Sequence, residues 1–132
     1  MALSRDAIIA ADDIKTREVD MPEWGGSVFV KGVTGAERDN FEAANQDSSG
    51  NAKLTNLRAR FLVRCIVNEQ GTRIFADQDA AALGKKSSAA INRLWEVAGE
   101  LNGTKDSDQE AMEGNSEATG ADTADGDGSS SL

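Results

Sequence analysis

An α+β fold class follows from three features of the sequence. One stretch alternates with period two and runs into a capping box, two later stretches carry apolar residues at helical spacing, and apolar content drops sharply after Gly103. Together they predict a small single domain over residues 1–103, with a short antiparallel β element packed against two main amphipathic helices. Residues 104–132 are expected to form a disordered acidic tail rich in Gly, Ser, Asp and Glu.

The first feature is Pro22–Glu42, P-E-W-G-G-S-V-F-V-K-G-V-T-G-A-E-R-D-N-F-E. Gly25-Gly26 lets the chain turn after Trp24. From Ser27 to Val33, Val28, Val30 and Gly32 fall on one face and Phe29, Lys31 and Val33 on the other, which predicts a strand. Thr34-Gly35-Ala36-Glu37 has the capping-box pattern. The Thr34 hydroxyl can accept from the Glu37 amide while the Glu37 carboxylate accepts from the Thr34 amide. A helix is therefore expected from Gly35 to about Ala44, with Phe41 and Ala44 inward and Arg38, Asp39 and Glu42 outward.

The remaining elements follow in chain order. Ser4 can cap a short helix reaching about Ala11, with Asp6 in its first turn and Ala7, Ile8 and Ala11 as a weak apolar stripe. Lys15–Asp20 alternates and should pair antiparallel with Ser27–Val33. Asn45–Ala52 is polar and predicts a mobile surface loop. In Leu54–Val67, Leu54, Leu57, Phe61, Leu62, Cys65 and Ile66 make a broad apolar face that predicts the strongest helix, with Lys53, Arg60 and Arg64 as a basic stripe opposite. Asn68–Gly71 reads as a turn and Thr72–Phe75 as a brief extended segment. Asp77 can cap a short helix holding Ala80–Leu83, which Gly84 would end in a left-handed conformation. Ser87 opens the last helix, where Ile91, Leu94, Trp95, Ala98 and Leu101 share a face and Asn102-Gly103 ends it.

Charge and residue inventory exclude several functions. The 132 residues contain 14 Lys and Arg against 23 Asp and Glu, a net charge of −9. Eight of the acids lie after Gly103, where Lys105 is the only base. Binding nucleic acid needs a basic excess to neutralise phosphate, so no nucleic-acid partner is expected. The longest apolar run, Ala7–Ala11, is five residues, far short of a membrane span, and no signal peptide is visible. Cys65 is the single cysteine, sits in an apolar pattern and reads as a buried small hydrophobe in a reducing cytoplasm. With no histidine and no tyrosine, the chain lacks the commonest general base and metal nitrogen ligand. Paired carboxylates at Asp12/Asp13 and Asp77/Asp79 are explained by caps and turns. Asp122–Asp127 lacks the full ligand pattern of a calcium loop. The expectation is a protein that is not an enzyme and that has no cofactor and no metal.

The basic residues Lys53, Arg60 and Arg64 are open to two readings, a solvated helix face or a docking surface for an acidic segment such as the chain's own tail. Trp24 and Trp95 read first as core anchors, with Trp24 the more exposed of the two.

In order, the motifs W-G-G-S-V, T-G-A-E-R, G-T-R-I-F, A-L-G and L-N-G, spread over about Ile14 to Gly103, resemble the tail assembly chaperones of long-tailed bacteriophages and prophages. The resemblance implies a protein absent from the mature virion that binds the tape-measure protein in the host cytoplasm. It would keep that protein soluble while tail-tube subunits polymerise around it. It also implies a second partner, the tail-tube protein, recruited where a frameshifted longer form is made; a homo-oligomer stays open. Trp24, Phe29, Arg60, Arg64 and Trp95 are the residues expected to contact the partner. The alternatives are a structural head–tail connector or tail completion protein of the virion, or a cytoplasmic adaptor.

Overall fold

The computed structural model describes residues 1–104. Apart from Thr104, the stretch expected to be a disordered acidic tail lies outside the described residues.

The order of elements is α1 (Arg5–Ala10), β1 (Thr16–Met21), a 3-10 turn (Pro22–Trp24), β2 (Gly26–Lys31), α2 (Gly35–Ala44), α3 (Leu57–Leu62), β3 (Ile66–Val67), a second 3-10 turn (Asp77–Asp79), α4 (Ala80–Leu83) and α5 (Ser88–Leu101). The three strands form one antiparallel sheet in the order β1-β2-β3, so the α+β class is as the sequence predicts. Glu18 lies opposite Phe29 and Val19 opposite Val28, while Val30 pairs with Ile66 and Phe29 with Val67. Side chains directly opposite share a face. One face therefore buries Val19, Met21, Val30 and Ile66. The hairpin turns through Gly25, whose φ of +79° suits glycine because it has no Cβ to clash.

The inner face is covered by helices. α5 lies against β1 and β2, and α3 packs between α5 and α4. Ile91, Leu94, Trp95 and Ala98 are buried as their spacing predicts. The Phe61 ring meets Phe41 and Trp95 edge-on, at centroid distances of 5.1 and 5.8 Å. That arrangement brings the positive ring edge onto the negative ring face. Cys65 is fully buried, which pushes its thiol up to about 12. Both halves of the capping box on α2 form, at 3.0 Å and 2.8 Å. Asn102 closes the fold at the other end. Its Oδ1 accepts from the Val33 amide at 2.8 Å and its Nδ2 donates to the Ala98 carbonyl at 2.8 Å.

Five local expectations are corrected. The helix expected over Leu54–Val67 is only Leu57–Leu62. Upstream, Leu54 is exposed, and Asn56 is left-handed at φ +55°, which an α-helix excludes. Downstream, the Arg64 and Cys65 amides donate three residues back, the Lys31 amide takes the Cys65 carbonyl at 2.8 Å, and Ile66-Val67 joins the sheet. These β-branched residues favour a strand, and an apolar run buried on nearly every side carries no period to tell the two apart. Lys53, Arg60 and Arg64 consequently do not share a helix face. Ala44 is exposed because only Phe41 of α2 reaches the core. Gly84 is right-handed, with φ −65°. Its glycine is required by space: a Cβ there would run into the Asn56 amide, which donates to the Ala80 carbonyl at 2.8 Å. Asp79, not Asp77, accepts from the Ala76 amide at the second 3-10 turn. The Asn45–Ala52 loop lies at the surface as expected and has local bonds at its root: Asn45 is buried, Gln46 bridges to Ala52, and Asp47 accepts from the amides of Ser49 and Asn51.

Candidate partner-binding surface

Two surfaces are left uncovered among the described residues. The first is the N-terminal arm. α1 is capped by Ser4, whose Oγ accepts from the Ala7 amide at 3.1 Å, yet it buries no residue. Leu3, Ile8 and Ile9 are 71%, 57% and 71% exposed. A helix of six residues is marginal on its own and is ordinarily stabilised by packing an apolar face. The expected stripe of Ala7, Ile8 and Ala11 therefore exists as an exposed surface with none of its residues buried.

The second surface is the outer face of the sheet. Thr16, Glu18, Phe29 and Lys31 project there, and they floor a groove of about 660 Å3. Asp12 and Ile14, just after α1, form part of its rim, so the arm and the groove are consecutive in the chain. Across the groove stand Arg64 and Arg73, whose guanidinium groups share Asp77 at 3.7 and 2.8 Å. The hydrogen bond from Arg73, aided by the Arg64 charge, holds the Asp77 carboxyl below its ordinary range.

Of the five residues expected to contact a partner, the structure brings two together: Phe29 on the floor of the groove and Arg64 on its wall. Trp24 is half-buried in the 3-10 turn at the hairpin end, packed on the core. Beside it, Glu23 accepts from Arg93 at 2.8 Å, which lowers the carboxyl and raises the guanidinium. Trp95 is 5% exposed and belongs to the core, with the Arg58 guanidinium 5.6 Å from its ring centroid. Arg60 is turned inward. It donates to the carbonyls of Thr55 and Lys53 at 3.0 and 2.8 Å and to the Asn45 amide oxygen, and burial lowers its pKa. Arg64 also lies over the Phe41 ring, 5.2 Å from its centroid.

Sequence reasoning did not single out Asp12, Glu18, Lys31 or Glu69 as parts of one site. The alternation of the strands did group Phe29 with Lys31 on one face and Glu18 with Thr16 on another, without saying which faces the core, and that was the available signal. No group of His, Cys, Asp and Glu that could hold a metal occurs among the described residues, and none of their helices is long and apolar enough to cross a membrane.

Comparison with known proteins fixes the family. A family model described as phage tail assembly chaperone matches residues 3–115. No curated protein matches the chain. Among solved structures, the bacteriophage HK97 tail assembly chaperone is similar in fold, with a TM-score of 0.55 and 13% identity, covering 76% of this chain and 95% of that one. The chain belongs to the phage tail assembly chaperone family.

Proposed function

We propose that this protein binds the tape-measure protein of the phage tail and keeps it soluble, in the host cytoplasm, while tail-tube subunits polymerise around it. The role is one of binding without catalysis, and the protein leaves before the virion is complete. The observation that carries the reading is the exposed apolar arm. Leu3, Ile8 and Ile9 offer a client's apolar helices a surface to pack on, and nothing in the described fold competes for it. Exposed apolar patches on an otherwise polar chain ordinarily mark interaction sites. The excess of acids after Gly103 supplies repulsion that keeps such complexes apart. Phe29 and Trp24 extend the contact surface, Arg64 orients the client at the groove wall, and Arg60 and Trp95 hold the scaffold behind it. The tail-tube protein enters as a second partner where a longer form is made.

The test is co-expression with the tape-measure protein. The reading expects that protein to precipitate alone, to remain soluble and co-purify with this chain, and to precipitate again with the I8S/I9S variant. Precipitation in all three cases, with this chain present stoichiometrically in purified particles, would replace the reading with a structural component of the virion.

A further inference from the structure

The groove on the outer sheet face carries information about what the partner looks like. Antiparallel sheets are ordinarily covered by helices on at least one face, and here α5 covers only the inner one. The outer face is about 10 Å across its three strands, from two interstrand spacings of roughly 4.8 Å. An α-helix with its side chains has about that diameter. The groove is apolar at Phe29 on its floor and at Ile14 on its rim, both partly buried.

Charge decides what kind of helix fits. The groove is lined by four carboxylates, Asp12, Glu18, Glu37 and Glu69, against Lys31, Arg64 and Arg73. Two of those three cations are already held by Asp77. With Asp77 included, five carboxylates face three cations, and the uncommitted excess is negative.

We propose that this groove seats a basic amphipathic helix of the partner, its apolar stripe on Phe29 and Ile14 and its Lys and Arg side chains against Asp12, Glu18 and Glu69. The proposal rests on the chaperone reading above and names the chemistry of the client segment. α1 continues the same surface, since it ends two residues before Asp12.

Synthetic peptides test it directly. The full chain is titrated with a Lys/Leu amphipathic helix of about five turns, and with a Glu/Leu helix bearing the same apolar stripe. The Lys/Leu peptide should bind at least about tenfold tighter, with the difference shrinking as salt screens the rim. The E18K/E69K variant should erase or invert that preference, and F29S should weaken both peptides, with circular dichroism showing each variant folded. Equal affinity for the two peptides, or a preference unchanged in E18K/E69K, overturns the proposal. If E18K/E69K still keeps the tape-measure protein soluble, the chaperone reading survives and the groove is not its client seat. If the Lys/Leu peptide binds as described but the wild-type chain fails to keep the tape-measure protein soluble, the groove stands and the chaperone reading falls.

Discussion

Asn102 is the joint between the last helix and the strand-to-helix turn that walls the groove, and its removal has a calculable cost. In Asn102→Ala, two hydrogen bonds of 2.8 Å are lost, one from the Val33 amide and one to the Ala98 carbonyl. Each contributes about 1 kcal/mol net, and a partly buried amide left without an acceptor costs about as much again. Local relaxation and water at the half-exposed site reduce the sum, so we expect about 2 kcal/mol of destabilisation. For a domain of this size that lowers Tm by roughly 10 °C. Asn102→Asp separates the two bonds: it keeps an acceptor for Val33 but cannot donate to Ala98, and it adds a negative charge at a helix C-terminus, which the helix dipole opposes. It should fall between wild type and Asn102→Ala. Urea and thermal melts followed by circular dichroism provide the values. A loss below about 0.5 kcal/mol for Asn102→Ala, smaller than a single ordinary hydrogen bond, would refute the reasoning that this side chain holds the end of α5 to the turn after β2.

Three further outcomes follow from the core and the ion pairs. Phe61→Ala removes the ring that Phe41 and Trp95 both contact. It should cost about 3–5 kcal/mol in urea denaturation, a large share of the stability of a small domain. Cys65, buried with its thiol pushed up to about 12, should react with a thiol reagent near neutral pH only through opening of the fold, so that the rate climbs steeply as urea raises the open population. Asp77 has a lowered folded pKa, so its stabilisation is present above the ordinary carboxylate range and is lost as pH falls through the lowered value. The group is largely exposed, so Asp77→Asn should cost only about 0.2–1 kcal/mol at neutral pH, and the difference should vanish in acid.

How far the sequence could be read depended on whether each signal was local. The Thr34–Glu37 capping box, the Ser4 and Ser87 caps and the period of α5 each rest on residues three or four apart, and all are found in the structure. The alternation of β1 and β2 likewise sorted their side chains into two faces, and the pairing of the strands decides that the Phe29 face is the outer one. The segment after Leu62 failed because its fate depends on a distant partner. Val63, Cys65, Ile66 and Val67 are buried together, so their apolar pattern suits helix and strand alike until β2 supplies the hydrogen bonds. Gly84 failed for a similar reason, since its need for glycine comes from Asn56, far away in the chain. Arg60 and Arg64 looked like one basic stripe because charge is visible in sequence while its internal partners, Asn45, Phe41 and Asp77, are not. The groove was half legible: the strands gave its floor, but the approach of Asp12 and Glu69 to that floor is a tertiary fact.

The most direct test of the central claim is amide hydrogen exchange on the full-length chain, alone and with the tape-measure protein. Alone, the amides of α1 should exchange near the rate of an unstructured peptide, because a six-residue helix that buries nothing opens readily. With the partner present, the account predicts strong protection of α1 and of the outer-face strand segments around Glu18 and Phe29, with α5 unchanged. Protection confined to α5 or to the Asn45–Ala52 loop, with α1 still exchanging freely, would contradict it.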